Sequence, residues 1–371
     1  MRNPHTGMAV VEANYSALPA WQTTRIPGFG PGILAEVAGN PLWFASTDVE
    51  LAPVPASLLC LLAPWCALEG RTLTVPANSV PADLADNIRS ATALMAFWWR
   101  HDPLRMEVLP SASPGPGPLH PASSGTALFF SGGIDSFHSL VSNPEVGLLV
   151  FIAGFDIRLH NRSTWEALVH SWRELAAERG LRFIAIATNV REHPVLGQMR
   201  WARYHGAVLA SVAHLLGGQA SRWLISASYQ LSNLVPWGSH PDLDWRFGGG
   251  GIEIRHAGAE LWRAEKLASM AGEDFVHRRL RVCYANPRAA GDCGQCEKCI
   301  RTRLIYWQDL PGVHCASMPA GPALAEALDL VPKLEMRSLV RIYRRFLERA
   351  TIDDGVTKAL RALIMRSEGE F

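Results

Sequence analysis

No apolar run in this chain is long enough to cross a bilayer. The most apolar stretch, Leu58 to Leu68, is broken by Pro64. It falls well short of the roughly 20 residues that a membrane-spanning helix requires. An excess of one charge is also missing: 35 Lys+Arg stand against 34 Asp+Glu, a formal net charge of +1. Dedicated nucleic-acid binders normally carry a clearly basic domain, so nucleic acid is not an expected partner. A basic groove can still hide inside a balanced total. The opening residues, MRNPHTGMAVVEANYSALPA, lack the apolar core of a signal peptide. Cysteines are seven, an odd number, and four of them crowd between 283 and 299. A secreted disulfide framework would be denser and usually even. These absences together read as a cytoplasmic protein with no membrane partner.

What is present points to a folded, multi-part chain. Hydrophobic residues make up 48% and charged residues 19% of 371 positions, enough to bury a core and too apolar for a disordered chain. At about 100–200 residues per domain, the length suggests two or three domains. A seam stands at 110–124, PSASPGPGPLHPASS, where five prolines mixed with Gly and Ser cannot hold a helix or a central strand. Before it, Leu42–Ala45 and Thr72–Val75 read as strands. The apolar positions Leu84, Ile88, Ala91, Met95 and Trp98 recur at helical spacing over Ala82–Trp99. After it, the compact apolar runs Thr126–Ser131, Gly147–Ala153, Leu181–Ala187 and Arg222–Ser228 alternate with helical stretches. Such alternation implies a parallel sheet covered on both faces, with ligands bound beyond the carboxyl ends of its strands. The division expected is a smaller mixed α+β domain over 1–109, a linker over 110–124, an α/β domain over 125–312 and a helical extension over 313–371. In that extension Leu339, Ile342, Tyr343, Phe346 and Leu347 form an apolar stripe.

The first strand after the linker runs into Ser131-Gly132-Gly133-Ile134-Asp135-Ser136, and a helix follows. The glycines let the backbone turn and approach a ligand closely. Their N–H groups, those of the first helical turn and the hydroxyls of Ser131 and Ser136 can surround an anion, which the helix dipole favours. This is not the nucleoside-triphosphatase P-loop, because the Lys of that motif is absent. A second signal is Cys283-x₉-Cys293-Gly-Gln-Cys296-Glu-Lys-Cys299. Four thiolates from one segment can wrap a tetrahedral zinc ion with no open position, a structural arrangement. An iron–sulfur cluster is the alternative for a C-x₂-C-x₂-C run. Cys60 and Cys66 read as buried, apolar-type residues.

The loop resembles the pyrophosphate loop of the PP-loop ATP pyrophosphatase superfamily, over residues 124–310. Loop and cysteine run together resemble the 7-cyano-7-deazaguanine synthases. The stretch Ile252–His256 followed by Leu261–Lys266 is similar to a segment where those synthases carry a basic residue before Ala-Glu; Arg263 stands where a Lys is usual. The resemblance implies a doubly wound parallel sheet of adenine nucleotide α-hydrolase type with a four-cysteine zinc segment. It implies ATP, Mg²⁺ and Zn²⁺ as cofactors. Ser131, Gly132, Gly133 and Ser136 would hold the pyrophosphate, Asp135 would position Mg²⁺, and Arg263 or Lys266 would contact the phosphates. The zinc ligands would be Cys283, Cys293, Cys296 and Cys299.

Substrate-side candidates follow the later strands: Asp156 and Arg158 after the second, and Thr188, Asn189 and Arg191 after the third. A long polar loop after the fourth offers His240, Asp242 and Asp244, with Trp237 or Trp245 to stack on a planar ring. The reaction expected is adenylation of a small-molecule carboxylate, with AMP and pyrophosphate released. Ammonia or an amine then attacks, giving an amide or nitrile. Position 2 is Arg, so no N-terminal cysteine glutaminase supplies the ammonia. Two alternatives stay open: a thiolation enzyme on the same loop, and a nucleotide-binding partner module without turnover. A homodimer is also left open.

Overall fold

The computed structural model describes residues 15–109, 124–285, 291–318, 322–351 and 353–368. Residues 110–123 of the expected linker lie outside the described residues. The strands are β1 (Tyr15–Ala17), β2 (Gln22–Ile26), β3 (Gly30–Val37), β4 (Asn40–Ala45), β5 (Thr72–Pro76), β6 (Arg105–Leu109), β7 (Thr126–Phe129), β8 (Val146–Ala153), β9 (Arg182–Thr188), β10 (Arg222–Ser226) and β11 (Glu253–Ala257). The helices are α1 (Pro55–Leu68), α2 (Ala82–Trp99), α3 (Ile134–Ser142), α4 (Arg162–Glu178), α5 (Trp201–Leu215), α6 (Pro241–Asp244), α7 (Arg263–Ser269), α8 (Asp274–Arg279), α9 (Glu297–Asp309), α10 (Leu324–Asp329), α11 (Arg337–Arg349) and α12 (Gly355–Glu368). No helix among the described residues is long and apolar enough to cross a membrane.

The protein is α/β, but its large sheet is mixed where the sequence pattern implies a parallel one. Its eight strands run in the order β11-β10-β7-β8-β9-β4-β3-β2. The first five are mutually parallel. β4 then pairs antiparallel with β9, through Phe44↔Thr188 and Ala45↔Ala187, and β3 and β2 continue antiparallel. The β3–β4 turn is Ala38-Gly39, both at positive φ (50° and 73°). That backbone matches the twist of a tight hairpin. The added strands cover an edge of β9 that would otherwise present unpaired backbone groups. A second sheet, β1-β5-β6, is parallel and three-stranded.

Side chains of the central strands alternate between two cores, as a period of two requires. Leu148, Val150 and Ile152 of β8 join a cluster with α1, α2 and α5. Leu149, Phe151 and Ala153 join another with α3, α4 and the C-terminal helices. Residues before and after the expected linker therefore share one sheet and one core. In α1 the residues Ala56–Ala67 are all buried. A helix apolar all round belongs inside a protein, where its Pro64 removes one backbone donor. The helix spans the stretch whose uniform apolarity shows no periodicity in the sequence. Cys60 and Cys66 lie in it, buried, and burial pushes the Cys66 thiol up to about 12. α2 covers the expected Ala82–Trp99.

Candidate functional site

The sequence order reverses at β7: β8 and β9 lie on one side of it, β10 and β11 on the other. Such a switch point opens a crevice at the carboxyl ends of the strands. The Ser-Gly-Gly loop leaves β7 there. Gly132 has φ of +76°, and a Cβ on it would sit 2.2 Å from Cζ2 of the buried Trp172. Gly133 differs: it is extended (φ −77°) and precedes α3, with room for a Cβ. Only the first glycine is required by the fold. The Ser136 hydroxyl donates to the Gly133 carbonyl at 3.0 Å. The Gly133 N–H points at Ser131 Oγ at 3.4 Å. The first-turn N–H groups of α3 have no helical acceptor by construction, so they are free to meet an anion.

Asp135, in that first turn, is gripped from both sides. Arg263 donates to Oδ2 through Nε (3.1 Å) and Nη2 (2.5 Å), and Lys266 Nζ donates to Oδ1 at 3.0 Å. Lys266 is fully buried and also donates to the Ala227 carbonyl at 2.7 Å. Burial alone would raise the Asp135 carboxyl. The Arg263 and Lys266 charges outweigh it and hold the group well below its ordinary 3.8. Asp135 in turn raises the Arg263 guanidinium. Both carboxylate oxygens are thus committed to cations. A divalent cation on Asp135, as the sequence resemblance implies, does not fit this arrangement, and the acid serves here to align two positive groups.

The loop opens on a cavity of about 630 Å³ lined by Ser131, Gly133, Asp135, Ser136, Asp156 and five arginines: 158, 191, 263, 281 and 301. The chain's charges balance as a whole, yet here cations predominate. Arg191 Nη1 donates to the Phe155 carbonyl at 2.7 Å, and its guanidinium lies 4.7 Å from the Trp201 ring centre. Burial, and then the Arg158 charge, lower its pKa. Burial, and then Arg263, act likewise on Arg301. Like charges crowded in this way favour an anionic ligand.

The four cysteines of the cluster converge, their sulfurs all within 4.8 Å of one another. Individual separations are 3.8 Å for Cys293–Cys299, 3.8 Å for Cys283–Cys296 and 3.4 Å for Cys296–Cys299. One tetrahedral ion with metal–sulfur bonds of about 2.3 Å sets sulfurs about 3.8 Å apart. In a four-iron cluster each cysteine binds a separate iron, and in a two-iron cluster they bind in pairs on two irons, so either spreads the set wider than one ion does. The set fits a single ion such as zinc. Gly294, at φ +72°, makes the turn between the ligands.

The cluster is tied to the Ser131–Ser136 loop through residues that belong to neither motif. Asp292, beside Cys293, accepts from the Val282 and Cys283 N–H groups and from Arg281 Nη1 at 3.0 Å. The Arg281 backbone N–H donates to the Gly132 carbonyl at 2.7 Å. Their only sequence signal is adjacency to the cysteines.

Of the substrate-side candidates, Asp156, Arg158 and Arg191 line the cavity. Thr188 and Asn189 instead fasten β9 to β4, bonding the Trp43 backbone and the Pro41 carbonyl. His240, Asp242 and Asp244 do not line it. His240 caps α6, accepting from the Asp242 N–H, and Asp242 is exposed. Asp244 is fully buried. It accepts from Ser239 Oγ (2.8 Å), the His240 N–H (3.1 Å) and His256 Nδ1 (2.7 Å). These residues pin the long loop to β11. Trp245 is exposed, and Trp237 lines a neighbouring cavity. Comparison of the chain with protein-family models, with curated proteins and with solved structures returns no match.

Proposed function

We propose that this protein is an ATP-dependent carbon–nitrogen ligase of the PP-loop ATP pyrophosphatase type, similar to the 7-cyano-7-deazaguanine synthases. The doubly wound core would be β11-β10-β7-β8-β9. The observation that carries the reading is the convergence of the Ser131–Ser136 loop and five arginines on one 630 Å³ cavity at the strand-order reversal. A triphosphate matches that positive lining, and the volume lies in the range of small-molecule sites, roughly 300–1,000 Å³.

In this reading a substrate carboxylate oxygen attacks the α-phosphorus of ATP. The bond to the β-phosphate oxygen breaks, and pyrophosphate leaves with the electron pair. Ser131, Gly132, Gly133 and Ser136 receive the pyrophosphate, while Arg263, aligned by Asp135 and backed by the buried charge of Lys266, meets its growing charge. Ammonia or an amine then attacks the acyl carbon and loses a proton as AMP departs. Where ammonia is the nucleophile, a second adenylation on the amide oxygen would release pyrophosphate again, and the oxygen would then leave on AMP as both amide protons are lost, giving the nitrile. Zinc on the four cysteines would have no open position, so it closes the segment that carries Arg281 and supplies no chemistry to the reaction. The test is product analysis with ATP, ammonia and a library of carboxylic acids. AMP and pyrophosphate formed in equal amounts are expected, and ADP with phosphate as sole products would refute the mechanism.

A further inference from the structure

A second cavity, of about 720 Å³, adjoins the first across a shared wall of Ser228, Arg263, Tyr284, Lys298 and Arg301. Its far side comes from the C-terminal extension. Leu339, Ile342 and Phe346 of α11 line it together with Trp237 and Trp262, and Arg345 stacks on the Trp262 ring at 3.7 Å. Arg301 borders both cavities and is 8% exposed. Its guanidinium has one charged partner among the described residues, Glu297 at 3.4 Å, beyond normal hydrogen-bond length. Glu297 Oε1 is itself buried without a hydrogen-bond donor among the described residues. A buried cation with spare donors stands where an acid in the second cavity would meet ATP in the first. A volume of this size takes a drug-sized body.

We propose that the second cavity binds an amphiphilic carboxylic acid, its extended apolar body against α11 and Trp262 and its carboxylate at Arg301. That this acid is the one adenylated rests on the ligase reading; its binding does not. The wall supplied by α11 selects a long apolar body over a compact polar one, because each methylene buried against it adds affinity.

The test uses the full chain and decanoate as probe, titrated by tryptophan fluorescence without ATP. Saturable binding is expected. 1-Decanol should bind about tenfold or more weakly, the cost of losing a charge-assisted hydrogen bond. Ile342→Trp, which fills the chamber, should weaken decanoate by a similar factor and leave α,β-methylene-ATP binding unchanged. A diazirine-bearing decanoate supplies a measurement independent of any variant, and its label should map to residues 330–349. No binding, equal binding of the alcohol, or a label elsewhere overturns the proposal. If decanoate binds there but no acid ever yields AMP and pyrophosphate, the ligase reading falls and the chamber stands. If ATP is cleaved with other acids and decanoate does not bind, the chamber alone falls.

Discussion

Replacing Gly132 by Ala tests the geometry of the loop directly. Two costs are legible. A non-glycine residue at φ +76° costs about 1–2 kcal/mol in left-handed backbone. The new Cβ would also stand 2.2 and 2.4 Å from Cζ2 and Cη2 of Trp172, an overlap that must be relieved by shifting a ring only 1% exposed. Overpacking of that kind costs about 1–3 kcal/mol. The sum is about 2–5 kcal/mol, read from the midpoint of a urea unfolding curve. Gly133→Ala is the control: its Cβ would come no closer than 3.5 Å to Ser131 Oγ, so a cost of about 1 kcal/mol or less is expected. A double-mutant cycle separates the two terms. Trp172→Phe removes the overlapping atoms, so Gly132→Ala in that background should retain only the backbone term, a coupling of about 1–3 kcal/mol. Equal costs for Gly132→Ala and Gly133→Ala, or no coupling to Trp172, would refute the reasoning.

Asp135→Asn leaves Lys266 buried with neutral acceptors only and no charged partner, and should destabilise the protein by about 3–5 kcal/mol at pH 7. Because the Asp135 carboxyl is held below 3.8 in the folded chain, the unfolded chain takes up its proton first. The gap between wild type and Asp135→Asn should therefore be full above about pH 4 and close as pH falls through the depressed folded value; a pH-independent gap in unfolding midpoints would contradict this. Metal analysis should find one zinc per chain, and chelation should lower the melting temperature and weaken ATP binding together, through Arg281 and Gly132. A brown protein that carries two or more irons with acid-labile sulfide would contradict the single-ion geometry. Asp244→Asn should lower thermal stability by more than about 1 kcal/mol, because the change leaves a buried hydrogen-bond network short of an acceptor. Asp242→Asn, at an exposed site, should stay within about 0.5 kcal/mol.

Local signals in the sequence mark the central elements well. The apolar runs of β7 to β10 and the helix Ala82–Trp99 are visible because burial on both faces makes strands continuously apolar, and burial on one face makes helices periodic. The loop Ser131–Ser136 and the four cysteines are visible because each set is contiguous in the chain. α1 is not visible as a helix, because a uniformly buried helix has no period to detect. The antiparallel extension β4-β3-β2 is hidden for another reason. Pairing with β9 joins residues that are some 140 positions apart, such as Phe44 and Thr188.

The long loop shows the limit of local reading most clearly. His240, Asp242 and Asp244 have the chemistry of a site, yet the fold turns Asp244 inward to His256 and Ser239 and leaves Asp242 in solvent. Arg281 carries no motif of its own and Arg301 only trails the cysteine run, yet the fold brings both into the cavity with Asp135 and the loop. The sharp turn between β7 and α3 and the gathering of four sulfurs are legible in the chain itself, since adjacency along it is enough for both. Which distant cations face that loop, which carboxylates are tied up in packing, and that α11 walls a second chamber follow only from the folded chain. Those outcomes depend on which side chains the two cores leave uncovered, and burial is a property of the whole fold.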